Sequence, residues 1–176
     1  MMSSRNVQIV QLVAATLQAL AAGELDEANR TAAVRLTPYF VSPEWAGTWL
    51  RRSRQVVDDP ASAAWITGVI WDADLELAVG RAGFHAPPDA NGMVEVGYAV
   101  DPAYRRQGYA RAALEALLAR AAADPGIRTV RASVRSDNVA SIRLILQYSF
   151  VQVGEQWDDE DGLELIYEVA AMATYS

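Results

Sequence analysis

Cysteine and lysine are absent from this sequence, and histidine occurs once, as His85. Without cysteine there is no disulfide, no thiol nucleophile and no thiolate metal site. A single histidine excludes a zinc ion held by two or three imidazoles. Without lysine there is no Schiff-base chemistry and no Gly-Lys phosphate loop. The 15 basic residues are thus all arginine, and against 22 acidic residues they leave a net charge of −7. That balance argues against a nucleic-acid partner, whose binding rests on phosphate neutralisation, and suits cationic partners such as amines. A long apolar run is also lacking. The stretch from Val7 to Ala22 is broken by Gln8, Gln11, Thr16 and Gln18. It is too short and too polar to span a bilayer, although it mimics the apolar part of a signal peptide. The expectation is a cytoplasmic protein with no membrane partner and no metal.

What remains is ordinary globular material. The 176 residues suit one domain, 52% are hydrophobic and 21% charged. A chain of this size buries roughly 70% of its unfolded surface and needs no staple. Val7–Leu12 alternates like a short strand before a helix over 14–22, stopped at Gly23. The segment 24–59 reads as broken helix, with Asp26 and Ser42 as N-caps and Pro43 opening a helix over 44–57. Strands are predicted over 64–71, 75–84, 93–100 and 129–134, and a closing hairpin over 150–157 and 163–169. Helices are predicted from about Gly108 to Asp124, where apolar residues recur at helical spacing, and over 138–148. This is a mixed α/β layer fold in a single domain.

The segment Tyr98-Ala99-Val100-Asp101-Pro102-Ala103-Tyr104-Arg105-Arg106-Gln107-Gly108-Tyr109-Ala110-Arg111 carries the most chemistry. A strand ends, a turn follows, and a helix begins beside two arginines and a glycine. Unsatisfied N–H groups at a helix start, helped by the helix dipole, bind phosphate, and a glycine lets the backbone approach the anion. Arginine adds charge-assisted hydrogen bonds. The same residues also fit an ordinary βα turn with solvated arginines. One glycine is too few for the dinucleotide-binding fingerprint.

Arg105-Arg106-Gln107-Gly108-Tyr109-Ala110 resembles the (Arg/Gln)-x-x-Gly-x-(Gly/Ala) motif of the GNAT superfamily of N-acetyltransferases. The preceding Val94–Pro102 resembles that family's fourth strand. Asn138-Val139-Ala140-Ser141 and Phe150-Val151-Gln152-Val153-Gly154 resemble elements of its ribosomal-protein N-terminal acetyltransferase (Rim-like) branch. The resemblance spans residues 64–169. It implies an α/β fold of the α+β type, with a mixed, mostly antiparallel sheet splayed between strands 4 and 5 and flanked by helices. Residues 64–169 would form the acetyl-CoA-binding core, and residues 1–60 the N-terminal strand and acceptor-side helices. By the resemblance, Tyr98, Ala99 and Val100 line the pantetheine of acetyl-CoA. Arg105, Arg106, Gln107, Gly108, Tyr109, Ala110 and Arg111 form the pyrophosphate loop, and Asn138 and Ser141 lie near the thiol. Two departures stand out. The position of the tyrosine acid usual in the family is Ile145, so that acid is absent or replaced, and Tyr148 is either its substitute or a core tyrosine. The family's Gly-Phe is Ser149-Phe150, which puts a non-glycine residue in a tight turn.

Acetyl transfer needs a deprotonated amine, donors for the oxyanion and a proton for the leaving thiolate. Glu95 is the first candidate base, on the strand face opposite Val94, Val96 and Val100; it is otherwise a half-solvated surface carboxylate. His85 is the second, and a Glu95–His85 pair across neighbouring strands is open; otherwise it is a turn histidine. A backbone N–H near Val100 is a candidate oxyanion donor. Ser141 is the candidate proton donor to the thiolate, or a helix serine bonding backwards to a carbonyl. Trp45 and Trp49, four apart, share a face, as core or as an aromatic wall for an amine. The acidic run 158–161 is either a solvated turn or a lure for a cation. The expected activity is acetyl-CoA-dependent N-acetylation of a primary amine, on a protein N-terminus or a small molecule, by a monomer or homodimer. The alternative is a non-catalytic acyl-CoA-binding sensor or assembly module on the same fold.

Overall fold

The computed structural model describes residues 5–172. Seven strands form one sheet: β1 (Val7–Val10), β2 (Gly68–Asp72), β3 (Leu77–Phe84), β4 (Met93–Val100), β5 (Thr129–Arg135), β6 (Val151–Asp158) and β7 (Gly162–Ala170). Their order is β1-β2-β3-β4-β5-β7-β6. Every neighbouring pair is antiparallel except β4 and β5, which run parallel. Three helices, α1 (Ala14–Ala21), α2 (Leu25–Thr31) and α3 (Ala46–Asp58), cover one face. The other face is packed by α4 (Tyr109–Ala123) and α5 (Val139–Leu146). Among the described residues no helix is long and apolar enough to cross a membrane.

Alternation along β4 explains this layering. Val94, Val96 and Val100 are buried and join the core under α4 and α5. Successive residues point to opposite faces, so Glu95, Gly97 and Ala99 emerge on the α1–α3 side. In α4 the apolar residues Ala113, Leu114, Leu117, Leu118 and Ala121 are buried, while Arg111 and Glu115 stay in solvent. The helix stops at Asp124, before Pro125 and Gly126, which cannot readily continue it.

Several boundaries differ from expectation for local reasons. Residues 60–64 wind as a 3-10 turn, with Asp59 Oδ1 accepting from the Ala61 N–H, so β2 begins only at Gly68. Pro43–Trp45 is likewise a 3-10 turn, and α3 starts at Ala46. Ser42 makes no side-chain cap there; its hydroxyl donates to Glu44 Oε1. Asp26 lies inside the first turn of α2, whose N-cap is Glu24.

The parallel β4–β5 pairing covers three residue pairs only: Met93 with Thr129, Val94 with Val130 and Glu95 with Arg131. Beyond Glu95 the two strands diverge. β4 continues on β3, up to Val100 opposite Gly80, and β5 continues on β7, up to Arg135 opposite Glu164. The Glu95 carbonyl accepts from His85 N–H, and Asp101 N–H donates to the Val79 carbonyl, both toward β3. Peptide groups alternate along a strand, so Val96, Tyr98 and Val100 turn theirs into the gap.

One buried carboxylate ties the start of α4 to the sheet. Asp72, at the end of β2, is 1% exposed. Its Oδ2 accepts from the Tyr109 hydroxyl at 2.6 Å, and its Oδ1 from the N–H groups of Asp74 and Leu75. Arg5 lies 3.9 Å away. Burial pushes the Asp72 carboxyl up, but these donors and the arginine outweigh it and hold it below its usual value of 3.8. Tyr109→Phe removes one charge-assisted bond from a buried anion and is expected to cost about 2 kcal/mol in urea unfolding at pH 7. Because the folded pKa is depressed, that contribution is complete above pH 3.8 and fades as pH falls through the lower folded value. The difference between variant and wild type should narrow there.

Ser149 confirms the tight turn expected after α5, with φ of +65°. This left-handed conformation is costly for a residue with a Cβ. Ser149→Gly is expected to stabilise the fold by about 0.5–1 kcal/mol, net of glycine's greater unfolded-state entropy, measured as a rise in Tm.

Candidate active site

The turn between β4 and α4 is built to leave N–H groups unsatisfied. Gly108 is the N-cap of α4 with φ of +87°, a conformation glycine adopts freely. The Ala112 N–H donates to the Gly108 carbonyl, closing the first turn. Among the described residues, the N–H groups of Tyr109, Ala110 and Arg111 have no acceptor inside the helix. Arg105 and Arg106 are exposed beside them. Arg105 Nε also donates to the Val100 carbonyl at 3.2 Å, which occupies that acceptor at the strand end. Arg5, in the segment leading to β1, braces the loop from behind. Its Nε donates to the Gln107 carbonyl at 3.0 Å, and its guanidinium stacks on the Tyr109 ring. Arg111 turns toward the end of α5, donating to the Tyr148 hydroxyl and to Gln147 Oε1.

The gap between β4 and β5 starts where this loop ends. Tyr98 and Val100 turn peptide groups into it, whereas Ala99, opposite Arg81 in the ladder, turns its own toward β3. On the α4–α5 side, the Tyr98 hydroxyl lies 2.9 Å from Ser141 Oγ, and either can donate. Burial pushes the Tyr98 phenol above its ordinary value of 10. Ser141 stands in the first turn of α5, where Asn138 Oδ1 caps its N–H at 3.2 Å. Asn138 thus positions the helix that carries Ser141. Ile145 is fully buried in the core.

Glu95 and His85 meet on the opposite side of β4. His85 Nδ1 is 3.7 Å from Glu95 Oε1, and their backbones share the hydrogen bond already described. The side chains are 44% and 23% exposed respectively, so a small molecule can reach both. The His85 carbonyl accepts from Arg52 Nη1 at 3.0 Å and Gln55 Nε2 at 2.8 Å, which fixes its backbone against α3. Gly97 makes room for the ring, since a Cβ there would stand 2.7 Å from His85 Nε2. Partial burial pushes the His85 pKa below 6.5, Glu95 opposes this, and Arg52, Arg81 and Arg51 add to it. The balance favours the neutral imidazole.

Other sequence candidates fall elsewhere. Trp49 is fully buried, and its Nε1 donates to the Phe40 carbonyl at 2.7 Å. Trp45 precedes α3 and lies under the Arg81 guanidinium, so the two tryptophans do not form one wall. Tyr148 points away from Ser141, donating to Glu115 Oε1 on the outer side of α4. It borders a cleft of about 500 Å³ whose lining includes neither member of the Glu95–His85 or Tyr98–Ser141 pairs. Asp158 accepts from the N–H groups of Glu160 and Asp161, which makes the acidic run a turn, and Glu160 pairs with Arg51 at 3.4 Å. The Tyr98 hydroxyl beside Ser141, the space that Gly97 leaves for His85 and the Arg52 anchor carried no chemical signal of their own in the sequence. Only the strand parity of Tyr98 and Gly97 was readable there.

The family model for the acetyltransferase (GNAT) domain matches residues 9–151. The L-2,4-diaminobutyric acid acetyltransferase of Streptomyces anulatus is 31% identical over 153 residues, covering 73% of this chain and 85% of that protein. The uncharacterized N-acetyltransferase YjdG of Bacillus subtilis is 31% identical over 83 residues, 47% of this chain, and the match spans about half of that relative's length. Among solved structures, the RimL ribosomal L7/L12 α-N-protein acetyltransferase in complex with coenzyme A superposes with a TM-score of 0.66 at 17% identity, over 99% of this chain and 98% of that one. With its splayed sheet, its open helix start and a family match across most of its length, this chain belongs to the GNAT acetyltransferase family.

Proposed function

We propose that this protein transfers the acetyl group of acetyl-CoA to a primary amine by direct attack, working in the cytoplasm. The observation that carries the reading is the interrupted β4–β5 pairing, which leaves the Val96 carbonyl, both peptide groups of Tyr98 and the Val100 N–H open beside the unsatisfied N–H groups of α4. An extended amide-bearing chain ending in a pyrophosphate fits that pair of features. The first satisfies a strand edge, and the second satisfies a helix start. Bound there, acetyl-CoA supplies an activated thioester carbonyl.

The chain's own residues then divide the proton work. Glu95 and the neutral His85 accept the proton that the amine must lose. An α-amine loses it near pH 8 and an alkyl amine near pH 10. The Val100 N–H faces the gap and is placed to donate to an oxyanion. On the other side of β4, Ser141 and Tyr98 form a hydroxyl pair that hands a proton to the departing sulfur. The phenol keeps its proton to unusually high pH, as a donor must. The carbon–nitrogen bond forms, the carbon–sulfur bond breaks, and the two protons pass to Glu95–His85 and from Tyr98–Ser141. The buried Ile145 in the place of the family's tyrosine favours a non-catalytic acyl-CoA sensor; the Tyr98–Ser141 pair answers it by supplying hydroxyls from elsewhere. Both a protein N-terminus, as in the Rim-like branch, and a small amine, as in the diaminobutyrate-acetylating relative, suit this machinery.

Thiol release from acetyl-CoA with a panel of amines tests the reading, with CoA binding followed by calorimetry. Glu95→Gln and His85→Gln should each lower kcat about 100-fold or more with CoA affinity retained. Rates unchanged in both variants would remove the proposed base. In the wild type, kcat/KM should fall on acidification with a midpoint below 6.5, as His85 takes up a proton; His85→Gln should lose that limb. Tyr98→Phe and Ser141→Ala should each slow turnover about tenfold or more, and the double variant little further, since both act on one proton.

A further inference from the structure

The α1–α3 face holds a cluster of donors that the chain itself does not satisfy. Arg81 lies opposite Ala99 in the β3–β4 ladder, so its side chain emerges on the same face as Glu95 and Gly97. Its guanidinium carbon sits 4.0 Å from the centre of the Trp45 ring. Its Nε is shielded from solvent and has no hydrogen-bond partner. Among the described residues no carboxylate comes within ion-pair distance of it, and Glu44 and Asp161 act on it only through space. The other enclosed arginine on this face, Arg52, is held by Thr67, Gln55 and the His85 carbonyl. Arg81 is half-buried and stacked on Trp45, yet its shielded Nε–H lacks an acceptor, a cost that a ligand acceptor would remove.

Three further polar atoms are buried and unpartnered: Trp45 Nε1 and the Tyr39 hydroxyl on the rings beside Arg81, and Thr37 Oγ1 two residues before Tyr39. The Tyr39 and Trp45 rings meet edge-on with centroids 5.7 Å apart, and Arg81 covers the other partner of that pair. The chemistry of these atoms is one-sided. Arginine Nε–H and indole N–H can only donate, and the two hydroxyls are free to donate as well. What they lack in common is an acceptor. A polyamine brings only more donors, whereas a carboxylate brings two oxygens in the plane that a guanidinium fork matches. The cluster also lies within electrostatic reach of the proposed base, because Arg81 is among the charges that bias His85.

Resting on the transfer reading above, we propose that Arg81, Trp45 and Tyr39 form a carboxylate-binding subsite for the acceptor. The acetylated amine then belongs to an amino-acid-type molecule whose carboxylate docks on Arg81 while its nitrogen reaches Glu95 and His85. A peptide N-terminus, with an amide in place of the carboxylate, leaves the guanidinium unpaired.

The test compares amines that differ only in the carboxylate: 2,4-diaminobutyrate with 1,3-diaminopropane, ornithine with putrescine, and a free amino acid with its amide. The expected result is a kcat/KM at least tenfold higher for the carboxylated member of a pair, expressed mainly in KM. Arg81→Gln should bring that ratio near one, and Arg81→Lys should restore part of it. Equal turnover of both members by the wild type, or an Arg81→Gln variant that lowers both equally and keeps the ratio, would overturn the subsite. Calorimetry of the same amino acids against the CoA-loaded protein reads the subsite without turnover. Binding that Arg81→Gln abolishes, in a protein that acetylates nothing, supports the subsite and fails the transferase reading. Absence of amino-acid binding beside active turnover of plain amines or peptides does the reverse.

Discussion

A parallel strand pairing that ends after three residues governs this molecule. On their outer sides both strands are paired further, β4 on β3 through Val100 and β5 on β7 through Arg135, and the backbone there is satisfied internally. Between β4 and β5 it is not, and an unpaired strand edge inside a protein is an energetic debt unless something fills it. The geometry around the gap follows from that break. Both strands stay fixed by their outer neighbours, so the opening is held by the sheet and does not depend on loops. The α4 helix must start at its mouth, and the Asp72–Tyr109 bond with the Arg5 brace keeps that start in place.

The break also separates two chemical environments across one strand. Alternation along β4 sends Tyr98 to the α4–α5 face, where it meets a serine and no charge. It sends Glu95 and the space over Gly97 to the other face, where His85, Arg52 and Arg81 gather. In the proposed transfer, the two directions of proton movement would be kept apart by the thickness of a strand. No hydrogen bond or ion pair among the described residues joins the two pairs, and a substrate placed between them would be the link.

The sequence was most readable where a local rule acts alone. β4 matches its expected span from Met93 to Val100, because a clean apolar alternation lies between an Asn-Gly turn and an Asp-Pro stop. The turn that opens α4 was legible in the same way, through Gly108 and its flanking arginines. The Glu95–His85 pair followed from strand neighbourhood. Elements ruled by tertiary contacts were not legible. Pro43 and Pro60 each begin a 3-10 turn where a longer helix and an earlier strand were expected. Trp45 and Trp49 share a spacing but not an environment, since only the second is in the helix and in the core. Arg81 has no periodic pattern around it and reads as any surface arginine until β3 is laid against Trp45. The Tyr98–Ser141 contact joins residues 43 apart, and no local spacing encodes it.

The loop at the mouth of the gap carries its positive charge on guanidinium groups alone: Arg105 and Arg106 exposed in front and Arg5 behind, with Arg111 turned toward α5. A lysine in any of these places would offer an amine that becomes nucleophilic whenever it loses its proton. Guanidinium stays charged at every pH the fold survives and does not compete for an acyl group. With no lysine anywhere in the chain, the arginines around the proposed thioester site offer it no side-chain amine. In the proposed transfer these charges would stay unacetylated through repeated turnover.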